Sequence, residues 1–201
     1  LAPQILWPAG KFRFTEAGAL THGWDVDVDI NSGLTHQGAG IESTELIYEN
    51  TTDAADASHA ADTNDLQDLR FADMTIVVNE DKRFILHQNG GSGGGSQLIH
   101  DRVHIRGDFD RYLDIAGTTL GSETRWMNCN VTVPSAGTFF YIRETNPQAV
   151  NHSFWGCNLA CFSAGTIFRV RAGGNISIFG GYSSFGDGAK FIVADPPSGG
   201  L

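Results

Sequence analysis

The sequence predicts an all-β chain wound as a single-stranded parallel β-helix, and three observations carry that prediction. Short apolar segments return about every 28 residues along most of the 201-residue chain. Each is too short for a helix and alternates with period two, as a strand with one buried face must. The composition, with Gly 25 and Phe 13, has no long Ala-, Leu-, Glu- and Lys-rich stretch to sustain helices, which excludes an all-helical fold. A hydrophobic content of 41% over this length gives one domain with a real core, so residues 1–201 are read as a single unit.

Within that unit, 1–50 form the first coils, 51–68 an acidic insertion, 69–195 the regular rungs and 196–201 a linker-like tail. Opening at Leu1 with neither a charged n-region nor a signal-type apolar segment, the chain reads as an excerpt of a longer one. Residues 1 to 68 hold 12 acidic and 2 basic side chains, so the whole net charge of −10 lies in the first third. That balance opposes affinity for nucleic acid and for anionic membrane, and no apolar run approaches the roughly 20 residues of a membrane span. The stretch Thr51 to Asp68 lacks aromatic and β-branched aliphatic residues and reads as a solvated excursion with a short helix over Ala54 to Ala61. Asn89 to Ser96, a Gly/Ser run, reads as a flexible turn.

Two interleaved series define the rungs. The first has anchors Phe71, His100, Trp126, Phe154 and Ile178, spaced 29, 26, 28 and 24 residues apart. The second comprises Arg83–Leu86, Arg111–Ile115, Phe139–Ile142, Ile167–Val170 and Lys190–Val193, with Phe84, Phe140, Phe168 and Phe191 as its expected column. Stacking each coil on the last, about 4.8 Å further along the axis, places like residues over like. Met74, Val103, Cys129 and Cys157 then form one interior column, with Ile76, Ile105, Val131 and Leu159 beside it. The residues before those columns, Asp73, Arg102, Asn128, Gly156 and Gly180, mark a sharp corner. Asp, Asn and Gly tolerate left-handed backbone; Arg102 is the exception. The cysteines are expected as free, buried thiols, and no Cys/His spacing suggests a metal site. His100, in an interior column, is expected to be a hydrogen-bonded core residue.

The N-terminal segment Pro8-Ala9-Gly10-Lys11-Phe12, followed by a strand-like Trp24 to Ile30 and then Gly38-Ala39-Gly40-Ile41-Glu42-Ser43-Thr44-Glu45-Leu46, resembles the opening of the pectate-lyase-like right-handed β-helix superfamily, in its bacteriophage tailspike and polysaccharide depolymerase form. The resemblance implies a right-handed coil, a virion or extracellular location, a bacterial surface glycan as partner, a homotrimer and no cofactor. The chain departs from that family in lacking the capping element before Pro8 and any evident cap at 195–201, so open rung edges are expected at both ends, covered by neighbouring chain or subunits.

Function on such a coil belongs to outward positions and corner loops. One outward column, Ala72, Asp101, Met127, Trp155 and Phe179, stacks three large apolar groups, either as a sugar-stacking platform or as a subunit interface. A second is expected to hold Ile85, Asp114, Tyr141, Arg169 and Ile192, with Arg143 and Arg171 one rung apart at the next outward position, where they would suit an ion pair or an anionic ligand such as a uronic or sialic acid. Glycoside hydrolysis needs two carboxyl groups about 5 to 9.5 Å apart, and a lyase needs a base with a neutraliser of the uronate. The candidate acids are Asp101, Asp114 and Glu144, with no pair standing out; Asp108 and Asp110 read as corner residues. The sequence therefore supports a glycan-binding tailspike or tail-fibre type protein. It leaves open whether the chain is a glycoside hydrolase, a polysaccharide lyase, or a non-catalytic structural or receptor-binding β-helix of a virion or adhesin.

Overall fold

The computed structural model describes residues 3–21, 33–49, 59–63, 68–87, 96–115, 122–143, 151–171 and 174–195. Among them the chain forms sixteen strands and no helix. The first five are β1 (Gln4–Leu6), β2 (Gly10–Phe14), β3 (Leu34–Gln37), β4 (Thr44–Tyr48) and β5 (His59–Asp62). Two 20-residue strands follow, β6 (Asp68–His87) and β7 (Ser96–Ile115), each long enough to bend around the whole coil. The later coils are cut into three: β8 (Ser122–Met127), β9 (Asn130–Val133) and β10 (Thr138–Ile142); β11 (Asn151–Trp155), β12 (Asn158–Cys161) and β13 (Thr166–Val170); β14 (Asn175–Phe179), β15 (Tyr182–Phe185) and β16 (Lys190–Ala194).

Every pairing is parallel, and the pairings sort into three sheets around one axis. The first runs β1, β3, β6, β7, β8, β11, β14. The second runs β2, β4, β6, β7, β9, β12, β15. The third runs β5, β6, β7, β10, β13, β16. This is a parallel β-helix of about 28 residues per turn, as the repeat predicts. Phe71, His100, Trp126, Phe154 and Ile178 are paired in sequence, and His36 and Ile5 extend their column toward the N-terminus.

Packing follows from this register. A continuous ring stack fills the first sheet's interior: His36 on Phe71 at 5.0 Å, Phe71 on His100 at 5.3 Å, His100 on Trp126 at 4.0 Å and Trp126 on Phe154 at 5.6 Å. His100 is fully buried and shares a 2.9 Å hydrogen bond with the Tyr112 hydroxyl, the core role expected of it. The cysteines are free and buried.

The corner column adopts left-handed backbone throughout, with φ of 53° at Asp73, 52° at Arg102, 52° at Asn128, 60° at Gly156 and 67° at Gly180. Left-handed geometry costs a residue with a Cβ roughly 1–2 kcal/mol. At Arg102 the guanidinium offsets this by bonding Asp73 at 2.6 and 2.7 Å and Asp101 at 2.8 Å. A second left-handed corner, at Ala136 (64°), Ala164 (62°) and Gly188 (76°), lies between the second and third sheets. Its signal is the repeated Ser-Ala-Gly-Thr at 135–138 and 163–166.

Three expectations need correction. In the third sheet Phe140 pairs with Leu113, and Phe168 with Ile192, so Phe84 and Phe191 stand one residue off the expected column. The corresponding outward column is Leu86, Asp114, Tyr141, Arg169 and Val193, which displaces Ile85 and Ile192. A register irregularity after Val78 shifts the start of the series, and the 24-residue last rung shifts its end. Finally, residues 59–62 of the acidic segment form β5, with Ala60 and Ala61 fully buried, so the expected helix over Ala54 to Ala61 does not extend through them. Pairing with β6 outweighs the helix preference of alanine there. The rest of that helix, the Gly/Ser run up to Gly95, the Trp24 to Ile30 strand and the tail lie outside the described residues.

Candidate functional site

The outward column of the first sheet keeps its predicted register, Ala72 with Asp101, Asp101 with Met127, Met127 with Trp155 and Trp155 with Phe179. Its chemistry changes along the axis. Asp101 is nearly buried and bonded by Arg70 and Arg102, each at 2.8 Å. Two rungs on, Trp155 is 48% exposed and Phe179 47% exposed, with ring centroids 4.0 Å apart and planes 17° from parallel.

That stack determines which surfaces remain for a ligand. One face of the Trp155 indole is covered by Phe179. On the other side, where the previous rung supplies the narrower Met127, a hollow opens that is lined by Arg125, Met127, Asn128, Ser153 and Trp155. It continues into a polar groove lined by Gln97, Glu123, Thr124, Arg125, Asn151 and Ser153. The two hollows lie on the outer face of three consecutive strands, β7, β8 and β11, and alternation along each strand places Gln97, Glu123, Arg125, Met127, Asn151, Ser153 and Trp155 outward, whereas Thr124 is buried and Asn128 belongs to the corner. Within the groove, Asn151 Nδ2 donates to Glu123 Oε1 at 3.0 Å and Gln97 Nε2 to Glu123 Oε2 at 3.4 Å. Arg125 is exposed between the polar and apolar parts.

The third sheet brings together a separate group. Asp114 is fully buried, with Oδ2 3.3 Å from His59 Nε2 and Oδ1 3.5 Å from Arg111. Burial works against its charged form, but the His59 bond and the charges of Arg111 and Arg143 outweigh it and hold its pKa below the usual carboxylate value. Tyr141 lies between two guanidinium groups, with Arg111 4.9 Å and Arg169 5.4 Å from its ring centre. Arg169 also bonds Asp195 at 2.7 Å. Arg143 and Arg171 sit one rung apart as expected, their backbone N–H groups donating to Ile115 and Ile142.

Of the predicted site residues, the structure therefore groups Trp155 and Phe179 on the first sheet, and Asp114, Tyr141, Arg143, Arg169 and Arg171 on the third. Asp101 and Asp114 fall on different sheets, and Glu144 lies outside the described residues. Asp110 lies 3.8 Å from Arg83 and 3.6 Å from Arg111, and Asp108 is exposed next to Gly107. Sequence reasoning missed Glu123, Arg125, Asn151 and Ser153. They stand two and four residues before the aromatic column on its own strands, and the period-two rule could have found them. It also missed His59 and Arg111 around Asp114; no sequence pattern marks a contact such as His59 to Asp114, across 55 residues. Among the described residues no group of three or more His, Cys, Asp or Glu is placed to hold a metal ion. Compared with known proteins, the chain matches no family model and no curated protein.

Proposed function

We propose that this β-helix is a glycan-binding protein of the tailspike or tail-fibre type, acting outside the cell on a bacterial surface polysaccharide, and that the glycan lies on the shelf formed by Met127, Trp155 and Phe179. The observation that carries this reading is the free face of the Trp155 indole above Met127, next to a row of side-chain amides, hydroxyls and a carboxylate. A pyranose offers an apolar C–H face and a rim of hydroxyl groups. The indole and thioether fit the first, and Ser153, Asn151 and Glu123 fit the second.

Holding, rather than cutting, is the form the side chains favour. Asp101 and Asp114 are each engaged by basic groups and stand on different sheets, an arrangement unlike the facing pair that glycoside hydrolysis requires. In this reading the chain assembles as a homotrimer, as the Pro8–Phe12 and Gly38–Leu46 segments suggest by resemblance.

The test is incubation of the full protein with purified surface polysaccharide from a candidate host, followed by size-exclusion chromatography of the sugar. Co-elution of uncut polysaccharide with the protein, lost in Trp155→Ala, is the expected result. Short oligomers would make the protein a depolymerase, and no association with any bacterial polysaccharide would overturn the reading. Light scattering tests the trimer: a monomer at micromolar concentration would remove it.

A further inference from the structure

We infer that the glycan received by this shelf is acidic, with the carboxylate of a uronic- or sialic-type sugar seated on Arg125; the inference rests on the shelf being a glycan site. Most arginines of this chain are tied to carboxylates: Arg70, Arg83, Arg102, Arg106, Arg111 and Arg169 all have an acidic partner within 4.0 Å. Arg125 is different. Its guanidinium is exposed and makes no hydrogen bond or ion pair among the described residues, although Asp68, two rungs away, feels its charge. In a chain of net charge −10, a cation with no hydrogen bond or ion pair among the described residues, at a place where an apolar hollow meets a polar groove, is matched to a ligand that brings its own negative charge.

The positions of the neighbours fix how such a sugar would sit. Along β8, Glu123, Arg125 and Met127 occupy alternate outward positions, so their side chains start about 7 Å apart. A pyranose over Met127 and against Trp155 therefore places a ring carboxylate at Arg125, while its neighbour along the chain reaches the polar groove. Glu123 does not compete with that carboxylate for Arg125. Both of its oxygens already accept amide hydrogens, from Asn151 and Gln97, and it is left to accept from sugar hydroxyls. Arg125 can give two parallel hydrogen bonds to a carboxylate, a geometry lysine lacks.

The experiment prints acidic bacterial oligosaccharides, the same compounds with their carboxyl groups reduced to alcohols, and neutral oligosaccharides on one array. The full protein is applied as wild type, Arg125→Gln, Arg125→Lys and Trp155→Ala, with circular dichroism confirming the fold of each. The expected result is wild-type binding to acidic glycans that falls tenfold or more on carboxyl reduction. Arg125→Gln should lose the same factor on acidic glycans and bind acidic and reduced glycans to within about twofold of each other, with Arg125→Lys intermediate. Equal wild-type binding to acidic and reduced glycans, or unchanged acidic binding by Arg125→Gln, overturns the acidic-ligand inference and leaves the shelf standing. If wild type binds no glycan, or Trp155→Ala binds all of them as wild type does, the shelf itself is wrong.

Discussion

The outward column of the first sheet is one backbone position used in two ways. In β7 it carries Asp101, sealed by Arg70 and Arg102. In β11 and β14 the same position carries Trp155 and Phe179, two half-exposed aromatic side chains stacked on each other. The coil geometry is common to both halves, since corner angles at Arg102 and Asn128 are both 52°. What differs is only whether the outer side chains satisfy one another. A solenoid separates folding from recognition in this way: inward positions and corners keep the stack, and each outward position is free to close the surface or to present it.

The largest expected effect tests the shared framework. Gly107 has φ of 125°, and a Cβ there would land on the Val78 carbonyl of the previous rung, a backbone obstacle that cannot move aside. Gly107→Ala is expected to abolish folding, read as loss of cooperative thermal unfolding. Gly181→Ala meets the Cys157 backbone in the same way, but among the described residues β15 pairs on one side only. That variant should fray the terminal rung and leave the rest folded, visible as hydrogen exchange confined to residues 175–194. Equal damage from both would show that the two halves are not independent.

Inside and outside can be compared with a single residue type. Trp126 is fully buried between His100 and Phe154, and its Nε1 donates to Thr124 Oγ1 at 3.0 Å. Trp126→Ala should cost about 3–5 kcal/mol in denaturant unfolding, the range for removing a buried aromatic ring.

Acid should act on the interior before it touches either outer surface. Burial lowers the pKa of His36 and His87 to about 4 and of His152 to about 3, and puts His100 well below its ordinary value. Above the unfolded value near 6.5 these imidazoles are neutral in both states and the full stability is present. As pH falls below it, the unfolded chain binds protons that the folded chain refuses, so stability is lost until the folded values near 4 and 3 are reached. Shifts of that size correspond to roughly 3 kcal/mol at His36 and His87 and nearer 5 at His152. Asp73, held below its usual value chiefly by its Arg102 hydrogen bonds, gives way only at lower pH, as does Glu42 through its bond to His104. Urea midpoints between pH 7 and 4 should therefore fall while the ion-paired half is still charged. A flat profile down to pH 4 would contradict the buried, neutral histidines.

How much of this was legible in the sequence depends on what each feature rests on. The rung series from Phe71 to Ile178 and the left-handed corner from Asp73 to Gly180 were readable, because stacking forces equivalent positions to carry compatible residues. Arg102 looked like an exception, since its compensation comes from Asp73 one rung earlier, 29 residues back. The third sheet was misregistered by one at both ends. There both Phe139 and Phe140 are fully buried, so alternation gives no unique phase. The aromatic shelf was visible as a column, but its usable face was not. That depends on the ring planes of Trp155 and Phe179, which stack on each other and leave only the side above Met127.

Moving one side chain should convert the closed half toward the open one. Asp101→Met repeats in β7 what β8 carries at the same position, and leaves Arg70 and Arg102 without that carboxylate. The expected loss is about 1.5–3 kcal/mol, the range for hydrogen bonds to a charged group. Asp101→Asn, which keeps the shape and an acceptor oxygen, should lose less. Thermal melts of the two variants, read against salt, separate charge from packing: the difference between wild type and Asp101→Met should shrink at 1 M salt, where charges are screened over about 3 Å.

The smallest expected effect on stability belongs to the residue with the largest expected effect on binding. Trp155 is half exposed, so Trp155→Ala removes little buried surface, and the loss of its contact with Phe179 is worth about 0.5–1.5 kcal/mol. Yet it removes the wall of the hollow and the indole beside Arg125 and Ser153. Set against Trp126→Ala, one rung earlier and one position inward, the expected pattern is a contrast: Trp126→Ala loses about 3–5 kcal/mol of stability, whereas Trp155→Ala melts within a few degrees of wild type and no longer retains polysaccharide. If Trp155→Ala instead destabilises the protein as Trp126→Ala does, the outer column is structural along its whole length, and the contrast between its two halves is one of side-chain chemistry without a difference in role.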